Sequence, residues 1–125
     1  MGRTDKLRAR LDGLTAEFRE LLAVEFAVVA EGRFSKYLYS RDRGFGHGRS
    51  RRTEQSARLD TLEEDIAALE EKLGVDRSIS PIRYVDQFHT AREAAGSAWW
   101  EGHGVATARR LLAALHSSAS VSPHY

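Results

Sequence analysis

Residues 59–74 read LDTLEEDIAALEEKLG, and they carry a leucine or isoleucine at every third or fourth position. These apolar residues are Leu59, Leu62, Ile66, Leu69 and Leu73. Because an α-helix has about 3.6 residues per turn, this spacing places all of them on one face. Gly74 follows the last of them, at a position where glycine commonly ends a helix. The stretch therefore predicts an amphipathic helix with one buried face.

A similar apolar pattern precedes this helix. It comprises Leu7, Leu11, Leu14, Phe18 and Leu21, slips by one residue to Leu22, Phe26 and Val29, and continues through Phe34, Tyr37 and Leu38. We interpret residues 4–42 as one long helix or two collinear helices, which Gly13 or Gly32 can interrupt. Glu25 lies where the pattern slips, so its carboxylate either is partly buried and needs a partner or faces solvent.

Three alternating glycines separate the two apolar patterns. Gly44, Gly46 and Gly48 disfavour a helix, so we expect a turn there. The two apolar faces can then meet only if the chain folds back on itself. We predict a long antiparallel helical hairpin, coiled-coil-like, over about residues 4–42 and 50–73.

Two shorter helices are predicted after the hairpin. Ser80 and Pro81 form a helix start, with serine as the N-cap residue and proline at the first helical position. We expect that helix to end around residues 99–100, and a last helix to occupy about residues 105–115. The sequence therefore predicts the all-α class, with residues 1–117 forming a single helical domain. The small and polar residues 118–125 predict a disordered tail.

The composition of the 125 residues excludes several classes of protein. The chain has no cysteine, which excludes a disulfide scaffold, a cysteine-ligated metal site and thiol catalysis. Its purely apolar stretches are at most five residues long, as at residues 26–30, which is too short to span a bilayer. The first ten residues contain no apolar signal segment. We therefore expect a soluble, cytoplasmic protein with no membrane partner.

The net charge of +1 is the sum of two segments of opposite charge. Residues 33–58 contain eight basic and two acidic residues, a net charge of +6, whereas residues 60–76 contain seven acidic residues and one basic residue, a net charge of −6. Arginine offers forked donors that match phosphate, and aromatic rings stack on bases. We therefore predict that the hairpin tip binds phosphate groups, above all those of nucleic acid. The predicted binding residues are Lys36, Tyr39, Arg41, Arg43, Phe45, Arg49, Arg51 and Arg52.

A second hypothesis is that the protein is an assembly or adaptor component of a larger complex. The basic turn can be balanced by the acidic segment of a neighbouring subunit, which predicts a protein partner or a homo-oligomer. Trp99 and Trp100 are the candidate interface residues. Consecutive positions on a helix point about 100° apart, so we expect one of the two side chains in the core and the other exposed or at an interface.

A third hypothesis is enzymatic. Five residues separate Arg83 from His89, and again Arg110 from His116, in the two predicted C-terminal helices. This spacing resembles the R-x4-6-H motif of HEPN ribonucleases, small all-α proteins, and the resemblance implies that Arg and His act together on a scissile phosphate.

No residue set in the sequence combines a nucleophile, a base and an orienting group, so we favour a non-enzymatic function and predict no cofactor. Asp86, His89 and Glu93 share one side of a predicted helix, but no second helix offers the matching carboxylates of a metal-binding bundle. We therefore predict no metal site.

Overall fold

All regular structure in the described part of the chain is helical. The computed structural model describes residues 2–40 and 54–120. It contains the α-helices α1 (Arg3–Ala30), α2 (Lys36–Ser40), α3 (Glu54–Leu73), α4 (Ile82–Ala95) and α5 (His103–Ser120), with 3₁₀ helices at Arg77–Ile79 and Gly96–Glu101. The prediction of the all-α class is confirmed. Among these described helices, none is long and apolar enough to cross a membrane.

The central element is α1, which packs against both α3 and α5, while α4 packs against α5. The two predicted apolar patterns form the core of this arrangement. Phe18, Leu22 and Phe26 of α1 are completely buried, and so are Leu59, Leu62 and Ile66 of α3. The slip of the first pattern at Leu22 is confirmed, because the residues before and after it both face the core.

Of the alternatives for residues 4–42, one continuous helix is excluded, because α1 ends at Ala30, close to the possible interruption at Gly32. Gly32 has a backbone φ of +81°, which glycine adopts without steric cost. The amide of Arg33 then donates to the carbonyl of Val28 at 3.0 Å, and the amide of Gly32 donates to that of Val29 at 2.9 Å. This pair of hydrogen bonds is a Schellman motif, which satisfies the last carbonyls of the helix.

The short helix α2 is not a collinear continuation of α1. Its start is capped by Ser35, whose Oγ accepts from the amide of Leu38 at 3.0 Å. Tyr37 donates from its hydroxyl to Glu63 in the middle of α3 at 2.6 Å. Glu25 of α1, by contrast, contacts Gln55 at the start of α3. A straight extension of α1 would pass beyond the start of α3, so the chain turns at residues 31–35.

The bounds of the two C-terminal helices differ from the predicted ones. Helix α4 begins at Ile82 with Pro81, rather than Ser80, as its N-cap residue, and the Oγ of Ser80 accepts from the amide of Ile82 at 3.2 Å. The α-helix ends at Ala95 rather than near residue 100, because Gly96 takes a φ of +56° and the chain continues as a 3₁₀ helix. The last helix, α5, extends to Ser120, which is beyond the predicted start of the tail. Residues 121–125 lie outside the described residues.

Candidate functional site

Most of the predicted phosphate-binding residues lie outside the described residues. These are Arg41, Arg43, Phe45, Arg49, Arg51 and Arg52. Lys36 and Tyr39 of α2 are described, and Lys36 is exposed while Tyr39 is buried. The structure therefore describes the residues that precede the segment 41–53, in α2, and those that follow it, in α3.

A single buried carboxylate connects both ends of this segment to α1. Glu25 is 9% exposed. Its Oε1 accepts from the hydroxyl of Ser35 at 2.7 Å, and its Oε2 accepts from the side-chain amide of Gln55. Ser35 precedes the segment and Gln55 follows it, so Glu25 fixes where the chain enters and leaves it. The carboxylate is buried and has partners, which is one of the two alternatives that the sequence left open.

A cleft of about 250 Å³ opens where α1, α2, the second 3₁₀ helix and α5 meet. Its apolar lining consists of Val29, Phe34, Tyr39, Trp99, Trp100 and Val105. Two of these side chains are mostly exposed, Phe34 at 64% and Trp100 at 63%. Phe34 was predicted to continue the buried pattern of the first helix, and its exposure follows from the turn at Gly32.

Tyr39 lies behind the two exposed rings as part of the core. It is 5% exposed. Its ring stacks on Phe34 with 4.9 Å between centroids and an angle of 17°, and it lies 5.5 Å from the ring of Trp100. Its hydroxyl accepts from the indole Nε1 of Trp99 at 2.9 Å. Tyr39 therefore supports the cleft, and the open aromatic surfaces belong to Phe34 and Trp100.

The two tryptophans divide as the sequence predicted, one in the core and one exposed. Trp99 is 2% exposed and lies edge-on to Phe88, with 5.0 Å between centroids. Of the two predicted interface residues, only Trp100 therefore has a side chain that is open to a partner, and its role in an interface stays a prediction. Gly104 makes the burial of Trp99 possible, because a Cβ at this position of α5 would lie 2.8 Å from the indole ring.

Two arginine side chains lie close to the aromatic rings of the cleft. The guanidinium carbon of Arg92 lies 5.1 Å from the ring centroid of Tyr39 and 5.5 Å from that of Trp100, within range of a cation–π interaction. Arg33 lines the cleft and forms an ion pair with Glu31 at 2.6 Å, in which both side chains are more than half exposed. Among the described lining residues, Arg33 is the charged one.

The arginine and histidine residues of the enzymatic hypothesis lie on α4 and α5. The guanidinium of Arg83 donates to the carbonyl of Ser80 at 3.0 Å and to the hydroxyl of Tyr84 at 2.7 Å. Both ring nitrogens of His89 are buried, so they are not accessible to a substrate in solvent. Arg110 and His116 are exposed on α5. Within residues 2–40 and 54–120, no group of three His, Asp or Glu side chains is placed to hold a metal ion.

Comparisons with known proteins do not assign this chain to a family. No protein-family model, no curated protein and no solved structure matches it. The function is therefore inferred from the charge pattern of the sequence and from the geometry of the cleft.

Three residues at the cleft were not among the predicted site residues: Arg33 and Phe34, which line it, and Arg92, which lies against two of its rings. Phe34 has a usable sequence signal, since Gly32 can end a helix and Ser35 can begin one, which leaves Phe34 between them. For Arg92 the sequence contains no such signal. Tyr39 is distant from it in the sequence, and Trp100 lies in the 3₁₀ helix that follows α4.

Proposed function

We propose that this protein is a non-enzymatic helical subunit that binds the phosphate groups of nucleic acid through the basic segment around residues 41–53. The observation that carries the proposal is the separation of charge within one chain. Residues 33–58 have a net charge of +6 and residues 60–76 a net charge of −6. A positively charged segment of this kind attracts a polyanion at one place and leaves the rest of the surface unattractive to it.

The contacts between α1 and α3 support a basic segment at one end of a helical hairpin. Glu25 contacts Gln55, and Glu17 contacts Arg58, so residue numbers fall along α1 as they rise along α3. Antiparallel helices give this order. The chain that connects them would then form the tip of a hairpin, and the buried bridge of Glu25 would hold both ends of the tip to the bundle.

The experiment is a titration of a fluorescently labelled oligonucleotide at several salt concentrations. Replacing Arg41, Arg43, Arg49, Arg51 and Arg52 by alanine removes five charges from the segment. The control replaces five exposed cations elsewhere by alanine, namely Arg3, Lys6, Arg8, Arg10 and Lys72. Each phosphate contact contributes about 0.7–0.9 to the slope of log affinity against log salt. We expect the first variant to lose about three or more units of this slope, and the control to keep it.

The proposal fails if the protein binds neither single-stranded nor duplex nucleic acid at about 50 mM salt, where such contacts are strongest. It also fails if the two five-residue variants lose affinity equally, since the attraction would then be a property of total charge rather than of the segment.

A second candidate function is favoured by the exposure of Trp100 and Phe34. Exposed large aromatic side chains that line one cleft, as these two do, are typical of protein interfaces. A subunit of a protein assembly would use this surface for a partner or for a second copy. Sedimentation distinguishes this function, because an oligomer that is unaffected by the five arginine substitutions and dissociated by Trp100→Ala supports it.

A further inference from the structure

The cleft presents two exposed aromatic rings that pack against aromatic side chains of the core. Phe34 rests on the ring of Tyr39, and Tyr39 is held by the hydrogen bond from Trp99 and by edge contact with Phe88 at 5.6 Å between centroids. The rings behind the cleft belong to the hydrophobic core. A ligand that stacks on Phe34 or Trp100 therefore meets a surface whose ordering has already been provided by folding.

The positive charges near the cleft favour planar ligands that also carry a negative charge. Arg92 lies against Trp100 and Tyr39, and Arg33 lines the cleft. The ion pair of Arg33 with Glu31 is exposed, and such pairs contribute little to stability, so the guanidinium can turn to another anion. A planar ring that carries a phosphate matches both the rings and the charges.

The size of the cleft limits how much of such a ligand enters. Its volume of about 250 Å³ lies below the roughly 300–1,000 Å³ of pockets for drug-sized ligands. It accommodates one ring system rather than a run of stacked bases. A base in a duplex is covered on both faces by its neighbours, so only an unstacked base can enter.

We infer that the aromatic cleft is a subsite for one unstacked nucleobase, with Phe34 and Trp100 as its stacking surfaces and Arg33 and Arg92 as its cationic partners. The inference rests on the proposed function and adds a preference for single strands to it. In the sequence, Tyr39 at the back of the cleft is followed two residues later by Arg41, the first arginine of the basic segment.

The test measures binding to three oligonucleotides with equal numbers of phosphates: a single strand, an abasic single strand and a duplex. Stacking of a base on an aromatic side chain is worth about one order of magnitude in affinity. We expect the native protein to bind the single strand about tenfold more tightly than the abasic strand or the duplex. Trp100→Ala and Phe34→Ala should each remove most of this difference while leaving the salt dependence unchanged.

The control variant is Ile79→Ala, because Ile79 is 66% exposed and does not line the cleft. It should bind all three oligonucleotides as the native protein does. Circular dichroism verifies that the variants fold. Tryptophan fluorescence gives an independent readout, because the single strand should quench the exposed Trp100 and the quenching should disappear in Trp100→Ala.

The outcomes separate this inference from the proposed function. If Trp100→Ala and Phe34→Ala bind the three oligonucleotides like the native protein, and the salt dependence persists, the subsite is refuted and the proposed function stands. If no oligonucleotide binds at all, both are refuted. If Trp100→Ala dissociates an oligomer and leaves nucleic-acid binding unchanged, a second copy occupies the cleft and the subsite is refuted.

Discussion

Helix α1 is joined to α3 at two points by different kinds of polar contact. Near the C-terminal end of α1, Glu25 is buried and accepts from Ser35 and Gln55. In the middle of α1, Glu17 has a side chain that is 41% exposed, and it accepts two hydrogen bonds from the guanidinium of Arg58, at 2.8 and 2.7 Å. Both contacts connect the same two helices, and only one of them excludes water.

This difference determines how much each contact contributes to the fold. A buried carboxylate loses its hydration, so removing or misplacing a partner leaves unsatisfied polar groups in the interior. An exposed ion pair exchanges contacts with water at little cost. The C-terminal half of α1 also carries the cleft. The cleft that we propose for ligand binding therefore lies at the end of α1 where the polar contact with α3 is buried.

The largest expected effect on this comparison comes from Gly104→Ala, which alters the cleft end. The new Cβ would lie 2.8 Å from Cε2 and Nε1 of Trp99, a side chain that is 2% exposed and hydrogen-bonded to Tyr39. Because the indole cannot move into solvent, the helix or the ring must shift and the hydrogen bond is lost. We expect about 3 kcal/mol of destabilisation in urea-induced unfolding.

The matched control for this substitution is Gly13→Ala in the other half of α1. A Cβ at residue 13 would have no atom within 4 Å. Alanine is the better helix former by about 1 kcal/mol, so the control should be more stable than the native protein. Equal effects of the two substitutions would show that close packing against Trp99 does not constrain the cleft end.

The next effect in size comes from Glu25→Ala, which removes the buried bridge. The hydroxyl of Ser35 and the amide of Gln55 would lose their acceptor inside the protein, and we expect about 2–3 kcal/mol of destabilisation. Glu25→Gln should lose only about 1 kcal/mol, since its amide oxygen can still accept from Gln55 and the Ser35 hydroxyl can accept from its amide N–H groups. Urea unfolding measures both variants.

The exposed counterpart, Glu17→Ala, is the control for the bridge and should change the unfolding midpoint much less than Glu25→Ala. A larger loss for Glu17→Ala would reverse the comparison, and it would mean that the contact with Arg58 is more important to the α1–α3 pair than the buried one.

The sequence was sufficient to predict the helical class and most of the core. The spacing of Phe18, Leu22 and Phe26, and that of Leu59 and Ile66, is a local property, because the helical period alone determines which residues share a face. The start of α4 is local in the same way, since the pair Ser80 and Pro81 indicates it to within one residue, with Pro81 rather than Ser80 as the N-cap residue.

The site depends on contacts that no local pattern contains. Phe34, Tyr37 and Leu38 continue the apolar spacing of the first helix, so periodicity extended that helix past Gly32. The turn there is stabilised by Ser35 bonding to Glu25, ten residues earlier, and by Tyr37 bonding to Glu63, twenty-six residues later. The exposed aromatic faces of the cleft result from this turn, and therefore became visible only in the structure.

The smallest expected effect concerns pH and the exposed ion pair. The hydrogen bond from Arg58 lowers the pKa of Glu17 below its ordinary value of 4.5. A carboxyl whose pKa is lowered by folding contributes stability above its unfolded pKa and loses that contribution as pH falls through its folded pKa. Native protein should therefore be slightly more stable than Glu17→Gln at neutral pH, and this small difference should disappear as pH falls below about 4.5. Urea midpoints measured from pH 7 to pH 3 test this, and parallel profiles for native protein and Glu17→Gln would show that the pair with Arg58 does not persist in solution.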